Sequence, residues 1–296
     1  MRFVIGGASG LTGTALANHL RDEGHEVVRL VRRAPGAPDE SSWDPYTGAV
    51  DASLIDRADV VVNLSGADPR RIPWTPTYRQ RILDSRVSAT RTLARAVAAS
   101  ERLPAFLSAS GATIYGVERG PEVLTETSRT GSGFLCSVAR HWEEEASAAS
   151  DAGARVCLLR TTATLDQAGG LLQMMLPVFK LGLGARFGDG SQYFSCLSLR
   201  DWVRAVARLA DDGSAMGAYN LGCPEPPTNA DLTRELARRL RRPAVLRAPA
   251  APMRWLLGEQ AMGVLGSLRV RPARLLDGGF EFQDPDVGAV LDAALG

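Results

Sequence analysis

Lysine is almost absent: among 34 basic residues in a chain of 296, only Lys180 is one. Histidine is nearly as scarce, with His19, His25 and His141. The first shortage leaves a single side-chain ammonium for catalysis, and the second confines imidazole chemistry to three positions. The four cysteines, Cys136, Cys157, Cys196 and Cys223, lie 21, 39 and 27 residues apart. That spacing fits neither a zinc site nor a redox pair, so they read as reduced core thiols and no metal is expected. Excess charge is missing too. Thirty-four basic residues face 33 acidic ones for a net +1, which gives no overall field for nucleic acid or anionic lipid. The long uncharged runs, Phe3 to Leu20 and Leu103 to Val117, are broken by Ser and Gly and fall short of the roughly 20 apolar residues of a membrane span. Met1-Arg-Phe-Val-Ile-Gly6 passes from strand to glycine turn with no room for a signal peptide. The expectation is a cytoplasmic protein.

With 45% hydrophobic and 23% charged residues, the chain has the composition of a globular domain with a sizeable core. Apolar runs at 2–6, 26–31, Asp59-Val-Val-Val-Asn-Leu64, Ala105 to Ser110 and Arg155 to Arg160 predict strands. Helical spacing predicts helices over about 12–23, 75–100 and 132–152. Alternation of this kind implies an α/β fold with a doubly wound, Rossmann-type parallel sheet. Past Arg160 come glycine-rich loops, a helix near 200–211, a short strand at Tyr219-Asn-Leu221 and a helix at 229–241. Residues 1–165 are therefore assigned to a dinucleotide-binding core, to which a segment at about 192–222 returns. Residues 166–296 are assigned mainly to a substrate lobe, with Pro243 to Pro252 as an ordered surface connection or, alternatively, a flexible linker.

Gly7-Ala-Ser-Gly10-Leu-Thr-Gly13 follows the first strand and opens the first helix. Glycines are needed there for the tight turn, for close approach to a pyrophosphate and for helix–strand packing, while the helix N-terminus aims its N–H groups at the anion. Ser9, Leu11 and Thr12 belong to the same turn and are expected to line the cofactor. At the end of the second strand stand Arg32 and Arg33, and no carboxylate follows until Asp39. Guanidinium groups there suit a ribose 2′-phosphate, so the expected cofactor is NADP(H) rather than NAD(H). Leu64, Ser65 and Gly66, after Asn63, should pass under the adenine ribose and pyrophosphate. The ten arginines between Arg234 and Gly296 stand against seven carboxylates with little aromatic interleaving, which reads as solvated surface and not as a nucleic-acid face.

Together, the glycine turn, Asn63-Leu-Ser-Gly66, Ser108-Ala-Ser-Gly-Ala-Thr-Ile-Tyr-Gly116 and Leu159-Arg-Thr161 resemble an extended short-chain dehydrogenase/reductase. More narrowly the chain resembles the atypical branch known as epimerase-family, or NAD-dependent epimerase/dehydratase-like, proteins. Further matches are Trp43-Asp-Pro-Tyr-Thr-Gly48, Arg81-Ile-Leu-Asp-Ser-Arg86, Trp142-Glu143, Gly182-Leu-Gly184, Gly188-Asp-Gly-Ser-Gln192 and Arg271-Pro-Ala-Arg-Leu-Leu-Asp-Gly-Gly-Phe280. The superfamily's mechanism uses Tyr-x-x-x-Lys, in which the ammonium lowers the phenol's pKa for proton exchange with a carbonyl or alcohol oxygen. None of Tyr46, Tyr78, Tyr115, Tyr193 or Tyr219 has lysine four residues on, and the corresponding helix reads Phe134-Leu-Cys-Ser-Val138. The dyad is absent. The resemblance leaves Ser110 and Thr113 as hydroxyls able to hold a substrate oxygen or relay a proton through water, and Tyr193 as a further donor. It places Ala109, Arg160 and Thr161 near the nicotinamide, while Tyr115 reads as packing. Where the branch tends to read Gln-Trp-x-x-Trp-Ile-His, this chain has Gln192-Tyr-Phe-Ser-Cys-Leu-Ser198, which points either to a divergent substrate or to a lapse of selection on catalysis. Asp201 reads as a helix N-cap, and Glu143 to Glu145 as a polar helix face.

The expected activity is an atypical NADP(H)-dependent oxidoreductase. It would deliver hydride to a C=C, C=N or C=O bond of a small, partly apolar metabolite, in bacterial specialised metabolism. The alternatives are a cofactor-retaining epimerase or dehydratase and a non-enzymatic NADP-binding regulator. The expected partner is the small-molecule substrate, with no nucleic acid and no membrane. A homodimer is compatible with this reading.

Overall fold

The computed structural model describes residues 1–71, 73–249 and 265–296. The first half runs β1 (Arg2–Gly6), α1 (Leu11–Asp22), β2 (Glu26–Val31), β3 (Glu40–Ser42), α2 (Ala52–Asp56), β4 (Val60–Asn63), α3 (Pro76–Ala98), β5 (Ala105–Gly111), β6 (Glu118–Leu124), α4 (Phe134–Glu145) and α5 (Ser147–Asp151). It continues through β7 (Val156–Thr161), β8 (Ala163–Asp166), α6 (Gly170–Lys180), β9 (Ala185–Phe187), β10 (Cys196–Ser198), α7 (Leu199–Asp211), β11 (Gly217–Leu221), α8 (Asn229–Leu240), β12 (Leu246–Ala248), β13 (Ser267–Val270), α9 (Ala273–Asp277) and α10 (Val287–Leu295).

Seven strands form one sheet in the order β11-β7-β5-β4-β1-β2-β3. Its registered pairs are parallel, with Val4 opposite Val28 on one side and Val61 on the other. Parallel strands must be covered on both faces, which is why β4 is a run of buried Val-Val-Val-Asn with no polar alternation. Strand order turns at β1, with β2 and β3 to one side and β4, β5, β7 and β11 to the other. The carboxyl ends of β1 and β4 therefore form the switch point at which such sheets bind ligands.

The chain divides into two compact units. The first comprises Met1–Ser110, Ser137–Leu159 and Val206–Ala218, and its core joins Val4, Leu30, Val61, Leu93 and Phe106. Within it, α3 is started by Thr75, whose hydroxyl accepts from Tyr78 N, and by Pro76 in its first turn. The second comprises Gly111–Cys136, Arg160–Ala205 and Tyr219–Gly296. Its core joins Leu165, Leu172, Phe179, Leu232, Leu236 and Leu291, and its strand pairs β10–β8, β12–β9 and β13–β6 are parallel. Lys180 ends α6 exposed.

Several sequence-based expectations change here. The helix expected over 132–152 is two, because Ala146 N bonds Glu143 O at 3.1 Å, a tightened turn that ends α4. Strand β3 has no apolar pattern, since Glu-Ser-Ser pairs only along the sheet edge. Asp201 is not the cap of α7: Ser198 is, its Oγ accepting from Asp201 N at 3.1 Å. The Asp201 carboxylate, fully buried, instead accepts from Gln283 N and Asp284 N. All four cysteines are free and buried. The Pro243 to Pro252 connection is described as far as Pro249 and contains β12, and its remainder lies outside the described residues. Among the described residues no helix is long and apolar enough to cross a membrane.

Candidate cofactor site

The glycine turn is built as its spacing requires. Gly10 N bonds Gly7 O at 3.1 Å, and the first intrahelical bond of α1 runs from Thr14 N to Gly10 O at 2.8 Å. The N–H groups of Leu11, Thr12 and Gly13 thus precede the helical ladder, and Gly10 offers no side chain to cap them. Gly7 has φ +81°, and a Cβ there would lie 2.6 Å from the carbonyl of Leu64. At Gly13 a Cβ would come within 2.3 Å of Gly7 O. Only glycine lets β1, β4 and α1 meet this closely.

Asn63, fully buried, fixes the next wall. Its Nδ2 donates to Thr90 Oγ1 at 2.8 Å and its Oδ1 accepts from Ser65 N at 3.1 Å. Ser65 Oγ is buried with no partner. Behind Gly66 the Arg86 guanidinium donates to Ala67 O at 3.0 Å and lies 5.1 Å from the Trp142 ring centroid. Burial holds its pKa down to about 10, so it stays charged at neutral pH.

Gly7, Ser9, Gly10, Arg32, Arg33, Leu64, Ser65 and Gly66 line one cavity of about 520 Å³ in the first unit, within the range of small-molecule sites. The sequence reading missed Tyr46, Arg81 and Ser85, which share this lining. It also missed that β3 brings two carboxylates back to the end of β2. Asp39 takes two bonds from Arg29, and Glu40 accepts Arg33 Nη1 and Nη2 at 2.8 Å each. These guanidinium groups hold both carboxyls below the usual carboxylate range. Arg32 is exposed and makes no side-chain hydrogen bond or ion pair among the described residues.

The other expected residues are differently placed. Ser110, 4% exposed, donates to Glu143 Oε1 at 2.7 Å, so Glu143 is not the solvated helix face its neighbours suggested. Ala109 precedes it on β5, half-buried. In the second unit Thr113 Oγ1 reaches Leu135 O at only 3.5 Å, barely a hydrogen bond. Arg160 donates to the Tyr115 hydroxyl at 3.0 Å, and that hydroxyl donates to Asn220 Oδ1 at 2.7 Å. Tyr115 has no exposed surface, and burial raises its phenol above the ordinary value despite Arg160, which excludes it as an acid in contact with substrate. Thr161 Oγ1 accepts from Trp202 Nε1 at 3.1 Å. Tyr193 carries Arg269 4.8 Å from its ring centroid and bonds Ser267 through its backbone N–H.

A sequence profile described as the NAD dependent epimerase/dehydratase family matches residues 3–222. The chain belongs to that family. A second profile, a domain of unknown function, matches residues 248–294. An epimerase family protein of Mycobacterium leprae is 40% identical over 98% of this chain and 94% of its own length. The human epimerase family protein SDR39U1 is 31% identical over 98% of each chain. Its crystal structure with NADPH superposes with a TM-score of 0.90 over 99% of both chains, at 29% identity. A nucleoside-diphosphate sugar epimerase of Corynebacterium glutamicum gives a TM-score of 0.83 at 35% identity, covering all of this chain and 58% of that one. Family membership accounts for the parallel sheet and the glycine turn, and gives the chain an oxidoreductase-type fold.

Proposed function

We propose that the chain is an NADP(H)-dependent oxidoreductase that reduces a C=C, C=N or C=O bond of a small, partly apolar metabolite. The observation that carries this reading is Arg32. It is an exposed cation at the end of β2 with no side-chain partner among the described residues, in the lining of a cavity built by a glycine turn. The human relative's structure with NADPH supports the same cofactor.

The residues present fit that cofactor. The N–H groups of Leu11 to Gly13 suit a pyrophosphate, Ser65 Oγ is a buried group awaiting a partner, and Arg32 suits a 2′-phosphate. When bound, NADPH supplies the hydride. The chain's own residues must then orient the acceptor and furnish a proton. Thr113, whose hydroxyl is held only by a 3.5 Å contact to Leu135 O, is the proposed donor to a substrate oxygen, with Tyr193 beside it in the proposal. Ser110 is the proposed positioning group, since its proton is directed at Glu143. Arg160, Thr161 and Ala109 are the proposed contacts at the nicotinamide end. Without a Tyr-Lys pair, acceptors needing little acid catalysis are favoured.

The test is incubation of the purified protein with NADPH deuterated at its transferable C4 position and a metabolite extract, read by mass spectrometry. Deuterium in a product is expected. Isomerised product without net NADPH oxidation would replace this reading by the epimerase one, and binding without any product would replace it by a regulatory one.

A further inference from the structure

Two exposed side chains of the cavity lining, Tyr46 and Arg81, are not yet assigned. Tyr46 is 58% exposed, an unusual position for an aromatic ring. Its backbone is nevertheless fixed. Tyr46 N donates to Asp44 Oδ1 at 2.9 Å, Asp44 N bonds Ala49 O at 2.8 Å, and Pro45 O accepts from Thr92 Oγ1 at 3.0 Å. The turn is tied down by hydrogen bonds while the ring is left uncovered. Arg81 reaches the same cavity from α3, exposed and with no side-chain hydrogen bond or ion pair among the described residues.

The remaining arginines of the lining are accounted for. Arg29 is held by Asp39, Arg33 by Glu40, and Arg32 stands at the strand end where a ribose phosphate belongs. With Trp43 buried, what is left exposed in the lining is one flat ring and one flat cation, on separate elements of one cavity. A guanidinium stacks on π-systems as an ammonium does not, and aromatic rings stack on any base. Groups of this kind suit the purine of a dinucleotide.

We propose that Tyr46 and Arg81 form a clamp for the adenine base of the cofactor. The proposal rests on the dinucleotide-binding reading, and it assigns to the 43–48 turn a part in ligand recognition. Because the clamp reads the base, it is indifferent to the 2′-phosphate.

The experiment compares Tyr46→Ala, Tyr46→Phe, Arg81→Ala and Arg81→Lys by titration with NADPH, NADH and reduced nicotinamide mononucleotide, which lacks the adenosine half. Tyr46→Ala, Arg81→Ala and Arg81→Lys should each weaken NADPH and NADH together, by about tenfold or more. The NADPH/NADH ratio and mononucleotide binding should not change, and Tyr46→Phe should keep wild-type affinity. Wild-type NADPH affinity in the two alanine variants would overturn the clamp, and a changed ratio in Arg81→Ala would make Arg81 a phosphate ligand instead. Failure of the wild type to bind either dinucleotide would defeat the cofactor reading itself, a result separable from both.

Discussion

Glu40 holds Arg33 in a two-pronged pair, each oxygen accepting one guanidinium nitrogen at 2.8 Å. The two are seven residues apart, and the short strand β3 brings them together by pairing Arg29 with Glu40 along β2. Of the two adjacent arginines at the end of β2, Arg33 is thereby committed and Arg32 is free to meet a phosphate.

Arg32→Ala should lower NADPH affinity about ten- to hundredfold, the range for a lost charge-assisted hydrogen bond, and leave NADH affinity nearly unchanged. Arg33→Ala should affect both cofactors little. Isothermal titration with the two dinucleotides decides it; equal losses for NADPH and NADH in the Arg32 variant would remove the 2′-phosphate assignment.

The glycines of the turn should differ sharply in tolerance. Gly13→Ala places a methyl 2.3 Å from Gly7 O, whereas at Gly10 the nearest atom is an ordinary 3.5 Å away. Gly13→Ala should cost at least about 2 kcal/mol of stability and abolish NADPH binding, while Gly10→Ala should keep the fold. Urea unfolding of the two variants measures the difference, and similar midpoints would contradict the close-packing account.

For the hydroxyls, Thr113→Val should reduce the rate of product formation more than tenfold at unchanged NADPH affinity. Ser110→Ala should act first on stability, by about 1–2 kcal/mol, because Glu143 loses its buried donor. Thermal melts and single-turnover rates, taken on both variants, separate the roles; an unaltered rate in Thr113→Val would take Thr113 out of the site.

Tyr115 gives a pH dependence on the alkaline side. Its raised phenol pKa means that the fold favours the neutral form, so its stabilisation is complete below the ordinary tyrosine value near 10 and is lost as pH rises through the raised one. Tyr115→Phe should cost about 1–3 kcal/mol at neutral pH, since Asn220 and Arg160 each lose a partner. That deficit should shrink in melts above pH 10, and a constant deficit up to pH 11 would argue against a buried phenol.

The core of the fold was legible because it rests on local signals. The runs at 2–6 and 26–31 coincide with β1 and β2, and the glycine spacing located the turn of Gly7, Gly10 and Gly13. What stayed hidden depends on contacts distant in sequence. Glu40 looks like loop polarity until β3 pairs, and the Ser110–Glu143 bond joins residues 33 positions apart. Asp201 looked like a cap because caps and latches use the same side chain, and only the buried N–H groups of Gln283 and Asp284 distinguish them. Arg81 could not be told from thirty-two other arginines without the cavity it enters.

The burial of all four thiols, together with the exposed position of Lys180 at the end of α6, sets how this protein meets covalent reagents. In the folded state maleimides should find no ready target, and amine-reactive dyes should find one side chain and the terminal amine. A fluorophore or crosslinker placed through Lys180 therefore comes with its address already known, and cysteine labelling that appears on warming becomes a direct clock for unfolding.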